Sequence, residues 1–194
     1  MTQIRGKFTL ITGTMFVKKS LWLLDQVKQA KKDGIYYLCV STTKPEIKSR
    51  ASEMVAPSAQ INPDDPNELQ ELLETCYKEH GEYPEIVFID EVQFIHASGI
   101  KVLDWMLSEG INVVAAGLTH DFRHQVFPII QDIFKYQILS AHLQHAMKCQ
   151  ICNEKEATHN QRLLYGQPNT TGPLIALDGD VYTYEARCGD CYQS

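Results

Sequence analysis

Two cysteine pairs near the end of the chain, Cys149 with Cys152 and Cys188 with Cys191, constrain its fold more than any other feature. Each Cys-x-x-Cys step can seat two thiolates on one tight turn, and 35 residues separate the two pairs. Four thiolates close a tetrahedral shell around Zn²⁺ and leave no position for water, so the expected role is structural rather than catalytic. The surrounding segment is turn-rich (Gly166, Asn169, Gly172, Pro173, Gly179), short of helix signal and too small to bury a core alone. Metal binding supplies the free energy such a segment lacks. A redox role suits the pairs less, because neither opens a helix after a strand. Cys39 and Cys76 stand alone and read as small apolar residues on a strand and a helix.

The preceding residues alternate strand and helix patterns. Lys7 to Thr12, Ile35 to Val40, Ile86 to Ile89 and Ile111 to Ala116 are short apolar runs of the kind buried in parallel sheets. Helical patterning covers Lys19 to Lys32, Asn67 to His80 and Ser98 to Ser108, with Asn67 or Asp65 as the cap of the second. Lys44 to Asp65 reads as loop, with Pro45, Pro57 and Pro63 inside it. The order predicts an α/β fold, a parallel sheet flanked by helices, without fixing the strand order. The expected division is a nucleotide-binding α/β domain over residues 1–146 and a zinc-binding domain over 147–194.

Composition bounds the function. With 194 residues, 44% of them hydrophobic, the chain can build one ordinary core with a small appendage. A formal charge of -6 lacks the broad basic footprint of a nucleic-acid binder, which weakens a zinc-ribbon nucleic-acid module. No run reaches the roughly 18 apolar residues of a membrane span. The short polar start runs straight into a strand pattern, so the expectation is no leader and a cytoplasmic protein. In that setting six cysteines are not a disulfide framework.

Between the first strand and the first helix lies Gly13-Thr14-Met15-Phe16-Val17-Lys18-Lys19-Ser20. It follows the phosphate-loop (P-loop) pattern, with Lys18 in place of the second glycine. Backbone N–H groups at a helix start favour anions. Lys19 is placed to reach outer phosphates, and the Ser20 hydroxyl to bind Mg²⁺. A glycine at position 18 lets the backbone turn and approach phosphates closely, whereas lysine adds a Cβ, a long chain and a charge. Asp90 ends an apolar strand, where a second carboxylate holds Mg²⁺ in phosphate-loop enzymes, and Glu91 follows it. Acids at the carboxyl edge of a parallel sheet lie where such folds bind ligands. His120 and His124 beside Asp121 read as loop residues near the ligand, since spacing places no third or fourth metal ligand.

Taken together, Gly13 to Phe16 with Lys19-Ser20, Ile89 to Phe94, Gly117-Leu118 with Asp121-Phe122-Arg123 and Phe127, and the two Cys-x-x-Cys pairs with Tyr184 to Cys188 resemble the type II, zinc-containing thymidine kinases. The resemblance runs from about Phe8 to Tyr192. It implies a P-loop-type sheet with a small zinc-ribbon-like lasso domain, and transfer of the γ-phosphoryl group of ATP to the 5′-hydroxyl of thymidine or deoxyuridine. By that resemblance Glu91 is the general base. Asp90 and Ser20 arrange Mg²⁺, Lys19 holds the phosphates, and Arg50 helps to stabilise them. Gln93 and the loop residues Gly13 to Lys18 belong to the same ATP site. Met15, Phe94, Leu118, Phe122, Phe127 and Tyr184 form the base pocket, each with core packing as the alternative. The segment from about Leu163 to Tyr184 is the lasso that closes over thymidine. A homotetramer is also implied.

The chain departs from the family pattern at Val17, Lys18, Lys48, Thr119, Val126 and Asn160. Most of these lie near the nucleotide. The competing expectation is therefore a relative that binds nucleotide or a partner without turnover, with Lys18 as its main support.

Overall fold

The computed structural model describes residues 4–49, 51–175 and 181–193. In chain order the elements are β1 (Phe8–Thr12), α1 (Lys19–Lys32), β2 (Tyr37–Ser41), β3 (Glu46–Lys48), β4 (Val55–Pro57), β5 (Ala59–Gln60), α2 (Asn67–His80), β6 (Ile86–Asp90), α3 (Ile100–Ser108), β7 (Asn112–Ala116), α4 (Pro128–Lys135), β8 (Ala141–Gln144), β9 (His159–Leu164), β10 (Gln167–Pro168) and β11 (Tyr182–Arg187). No helix among the described residues is long and apolar enough to cross a membrane.

Six strands form one parallel sheet in the order β5-β2-β6-β7-β1-β8. Alternate residues of each strand serve opposite faces, and here both faces are apolar. Phe8, Leu10, Val40, Val87, Ile89, Val113 and Ala115 pack against Leu69 and Leu73 of α2, Leu103 and Met106 of α3, and Ile129, Ile130 and Ile133 of α4. Ile11, Cys39, Phe88 and Ala116 meet Leu23, Leu24, Val27 and Ala30 of α1 on the other face. Burial pushes the Cys39 thiol up to about 12, so it serves as an inert apolar filler.

Three local readings change. The segment expected as loop contains the β3–β4 hairpin and the two-residue β5; Ile47 and Ala56 are buried in the α1-side core, which gives the hairpin its reason. The third helix begins at Ile100, after a 3₁₀ turn over Ala97–Gly99. At the start of α2 the N-cap position is Pro66, while the Asp65 carboxylate accepts from Asn67 N at 3.1 Å.

The residues after β8 form a separate layer. An antiparallel sheet, β10-β9-β11, is flanked by the two cysteine turns. Its buried set includes Asn160, Gln161, Arg162 and Arg187.

Candidate active site

The sheet order places the site. The connection from β1 to β2 passes over β7 and β6, so the carboxyl ends of β1, β6 and β7 open into one crevice. The loop after β1 holds an unusual path. Gly13 adopts φ 149°, and a Cβ there would lie 2.3 Å from His145 O. Phe16 and Lys18 are left-handed at φ 69° and 62°. Lys18 thus keeps the backbone turn that glycine would make, at a cost of about 1–2 kcal/mol, with its side chain exposed. The lysine side chain stands in the lining of the cleft, at the mouth of the loop. Lys19 opens α1, and its Nζ donates to Thr14 O at 2.7 Å and Gly13 O at 3.4 Å. Burial lowers its pKa to about 8, against the pull of Glu91 and Asp90. The buried Thr14 Oγ1 has no hydrogen-bond partner among the described residues.

The acid pair ends β6. Ser20 Oγ lies 3.2 Å from both oxygens of Asp90. Burial raises Asp90 to about 7, the Glu91 charge adds to this, and the Ser20 bond opposes it. A hydroxyl and a carboxylate so placed are a hard, oxygen-only donor set that fits Mg²⁺. Glu91 sits in a left-handed conformation at φ 56°. Two groups hold it there: Thr42 Oγ1 donates to Glu91 O at 3.0 Å, and Gln93 Nε2 donates to Glu91 Oε2 at 2.6 Å. Gln93 is only 2% exposed, and its Oε1 accepts from Leu118 N at 3.1 Å. This close approach requires Gly117, where a Cβ would lie 2.6 Å from Gln93 Oε1.

A cleft of about 460 Å³ joins these groups. Met15, Phe16, Lys18, Lys19, Ser20, Asp90 and Glu91 line it, as do the expected base-pocket residues Phe94, Leu118, Phe122, Phe127 and Tyr184. Phe127 serves two roles, packing edge-on against Phe94 at 5.8 Å and belonging to the core. Gly13, Thr14, Val17 and Gln93 are not among the lining residues. Arg50 lies outside the described residues. Sequence reasoning did not place Leu21, Thr43 or Lys44 in the lining; it marked Asn160 only as a departure from the family pattern, and Leu174 and Ile175 only as part of the lasso segment. A strand pattern around Asn160 and an apolar pair at Leu174-Ile175 in a polar segment were the available signals.

The wall of the cleft between Leu118 and Phe127 is a turn closed by its own hydrogen bonds. The Asp121 carboxylate accepts from Arg123 N and Gln125 N, each at 2.8 Å, and Phe127 N donates to Thr119 O at 3.1 Å. His120 and His124 are not in the lining; their rings stack at 4.4 Å, and His124 stacks on His159 of β9 at 3.7 Å. Tyr192 donates to Phe122 O at 2.8 Å. Arg162 of β9, fully buried, lies 3.4 Å over the Phe122 ring. Its guanidinium donates to Pro173 O at 2.6 Å, to Asn169 Oδ1 at 3.2 Å and to Thr171 O. One cation therefore fastens residues 169–173, part of the expected lasso, to the pocket wall. Residues 176–180 of that segment lie outside the described residues.

The four paired cysteines converge, with their sulfurs within 4.8 Å of one another. The Cys152 and Cys188 sulfurs are 3.9 Å apart, close to the about 3.8 Å edge of a tetrahedron with Zn–S bonds of about 2.3 Å. Burial pushes the Cys149 thiol up, but backbone N–H groups of Cys152, Cys188 and Ile151 outweigh it and bring the value to about 6. Hydrogen bonding to Cys188 holds Cys191 at about 12, since crowded thiolates cannot all ionise without a cation among them. The set fits Zn²⁺.

The sequence model of the thymidine kinase family matches residues 6–192. The thymidine kinase of Mesoplasma florum is 32% identical over 97% of this chain and 92% of its own length. That of Thermococcus kodakarensis is 31% identical over 94% and 92%, and that of Mycoplasmoides gallisepticum 30% identical over 97% and 81%. Among solved structures, the Pif1 helicase of Candida albicans aligns at a TM-score of 0.49 and 15% identity, over 72% of this chain and 36% of the helicase. With motifs, cleft and cysteine cluster all in one chain and relatives matching along its length, the chain belongs to the thymidine kinase family.

Proposed function

We propose that this thymidine kinase transfers the γ-phosphoryl group of ATP to the 5′-hydroxyl of thymidine or deoxyuridine, with Glu91 as general base. The placement of Glu91 carries this reading. Its carboxylate is aimed by Gln93 and its backbone by Thr42, in the cleft that the phosphate loop and the aromatic wall share. As the 5′-oxygen attacks the γ-phosphorus, its proton passes to the Glu91 carboxylate. The bond from the γ-phosphorus to the β,γ-bridging oxygen breaks, and ADP leaves. Such transfer is mostly positioning and charge stabilisation, so the aimed carboxylate and the Lys19 ammonium do the protein's share. On ATP binding, Lys19 exchanges the Gly13 and Thr14 carbonyls for phosphate oxygens. Ser20 and Asp90 are the residues that would hold Mg²⁺, which supplies charge neutralisation on the phosphates. Cys149, Cys152, Cys188 and Cys191 would hold Zn²⁺, which supplies order to the layer that carries Leu174, Ile175 and Tyr184. Phe94, Leu118, Phe122 and Phe127 offer apolar faces to a planar pyrimidine.

Residues 1–146 act as the nucleotide-binding domain and 147–194 as the zinc-binding lasso domain. In support, His145 N still bonds to Thr12 O of the sheet, while the Lys148–Glu156 bridge begins the cysteine layer. A cytoplasmic setting agrees with six unpaired cysteines, and the charge of -6 agrees with small-molecule rather than nucleic-acid partners. Exposed Phe134, Tyr136 and Leu143 around the edge strand β8 offer apolar surface for contacts within a homotetramer.

The test is Glu91→Gln, which keeps shape and removes the base. The zinc-loaded wild type is expected to phosphorylate thymidine from ATP, and the variant to lose about 10²–10⁴-fold in kcat. An unchanged kcat removes Glu91 from the role of base.

A further inference from the structure

Asn160 stands on β9 in the cysteine layer, yet both ends of its side-chain amide bind the sheet body. Its Oδ1 accepts from Met15 N at 2.7 Å, and its Nδ2 donates to His120 O at 3.1 Å. A backbone N–H can only donate and a carbonyl only accept, so these two bonds fix the orientation of the amide. The residue is 5% exposed and reaches the lining of the cleft. One side chain thus joins three segments: the phosphate loop, the nucleoside wall and the zinc-ordered layer.

The loop at one end needs such a restraint. Phe16 and Lys18 hold left-handed conformations that the isolated chain disfavours. Met15 precedes them, and its N–H is committed to Asn160 rather than to a phosphate. Resting on the thymidine kinase reading above, we propose that Asn160 is a positioning residue for the phosphate donor: it sets the path of the phosphate loop at Met15 and ties that path to the nucleoside wall at His120. It follows that nucleoside binding, by ordering the wall, tightens ATP binding through this side chain. The coupling is reciprocal, so ATP tightens the nucleoside by the same factor.

The experiment is calorimetric titration of the zinc-loaded full chain with ATP and magnesium, with and without thymidine, for wild type and Asn160→Ala. The variant is expected to bind ATP about tenfold more weakly, the equivalent of about 1.4 kcal/mol for one lost hydrogen bond, and to lose a smaller factor in binding thymidine alone. Thymidine should enhance ATP binding in the wild type and not in the variant, with zinc content unchanged. ATP affinity equal to wild type overturns the proposal. So does an equal loss for both ligands with a lowered Tm, the pattern of a merely structural residue. If Asn160→Ala fails to fold, hydrogen exchange on the wild type decides: a protected Met15 amide supports the assignment, and free exchange there overturns it. A wild type that binds ATP without phosphorylating thymidine defeats the reading of function and leaves the titration to judge Asn160 separately.

Discussion

The sheet body and the cysteine layer are held together by different physics. In the body, apolar strand residues are buried between helices on both faces, and the polar groups buried there cluster at the cleft. In the cysteine layer, β9 alone buries Asn160, Gln161 and Arg162 in succession, and Arg187 of β11 donates to Cys191 O at 3.1 Å and lies within 3.5 Å of Gln161 Oε1. Burial of apolar area stabilises the first region by about 25 cal/mol per Å² and asks little of any single contact. The second depends on directional bonds, each valuable only while its partner stays in place. A metal that fixes both cysteine turns at once is what makes such a network dependable. The body can therefore tolerate a small error that the cysteine layer cannot.

The largest effect should come from removing the metal. Chelation of zinc, or Cys149→Ser, is expected to disorder the cysteine layer and reduce thymidine phosphorylation by more than about 100-fold, because the apparent binding energy of structural zinc is about 10–16 kcal/mol. Limited proteolysis with mass mapping checks it: new cuts should fall in the cysteine layer while the sheet body stays resistant. Cuts spread evenly over the chain would mean that the two regions do not differ as described.

The converse perturbation is Leu103→Ala in α3, fully buried against the sheet. It should cost about 2–5 kcal/mol of stability by denaturant melting, with zinc content and thymidine affinity retained below the transition. Loss of zinc in step with stability would join what the comparison separates.

Acidity sharpens the same contrast within the cleft. The folded protein without nucleotide keeps Asp90 protonated up to about 7, whereas the unfolded chain releases that proton near 3.8. Between these values the fold binds more protons, so this group's contribution to stability falls as pH rises. Lys19 has the opposite sign: from about 8 to 10.5 the unfolded chain binds more protons, and stability rises with pH. The expected outcome for function is weaker Mg²⁺ binding as pH falls below about 7, approaching tenfold per pH unit as the proton and the cation compete for Asp90. Asp90→Asn should flatten that dependence, measured by calorimetry across pH.

How much of this was legible in the sequence follows the same divide. Helices α1 and α2 have the bounds that their periodicity marks, and four of the six parallel strands are plain apolar runs. Strand β8 was not legible: Ala141–Gln144 is exposed throughout, and its pairing with β1 is decided by backbone bonds rather than by a hydrophobic pattern. The β3–β4 hairpin was hidden by its prolines and its brevity. In the site, Glu91, Asp90 and the cysteines announce themselves by type and spacing. Asn160 and Arg162 do not, because an amide and a guanidinium acquire their roles from carbonyls and N–H groups that the fold brings from far along the chain.

Lys18→Gly is the smallest of the expected effects. It relieves a left-handed lysine but adds freedom to the unfolded chain, so the net stabilisation should stay within about 1 kcal/mol, read as a small rise in Tm.

Every step of the transfer depends on the phosphate loop that holds this lysine. Calorimetric titration of the zinc-loaded wild type with ATP and magnesium should give saturable binding of one nucleotide per chain, weakened by Lys19→Ala. Absence of any binding heat across several temperatures, from protein that still holds its zinc, would contradict it.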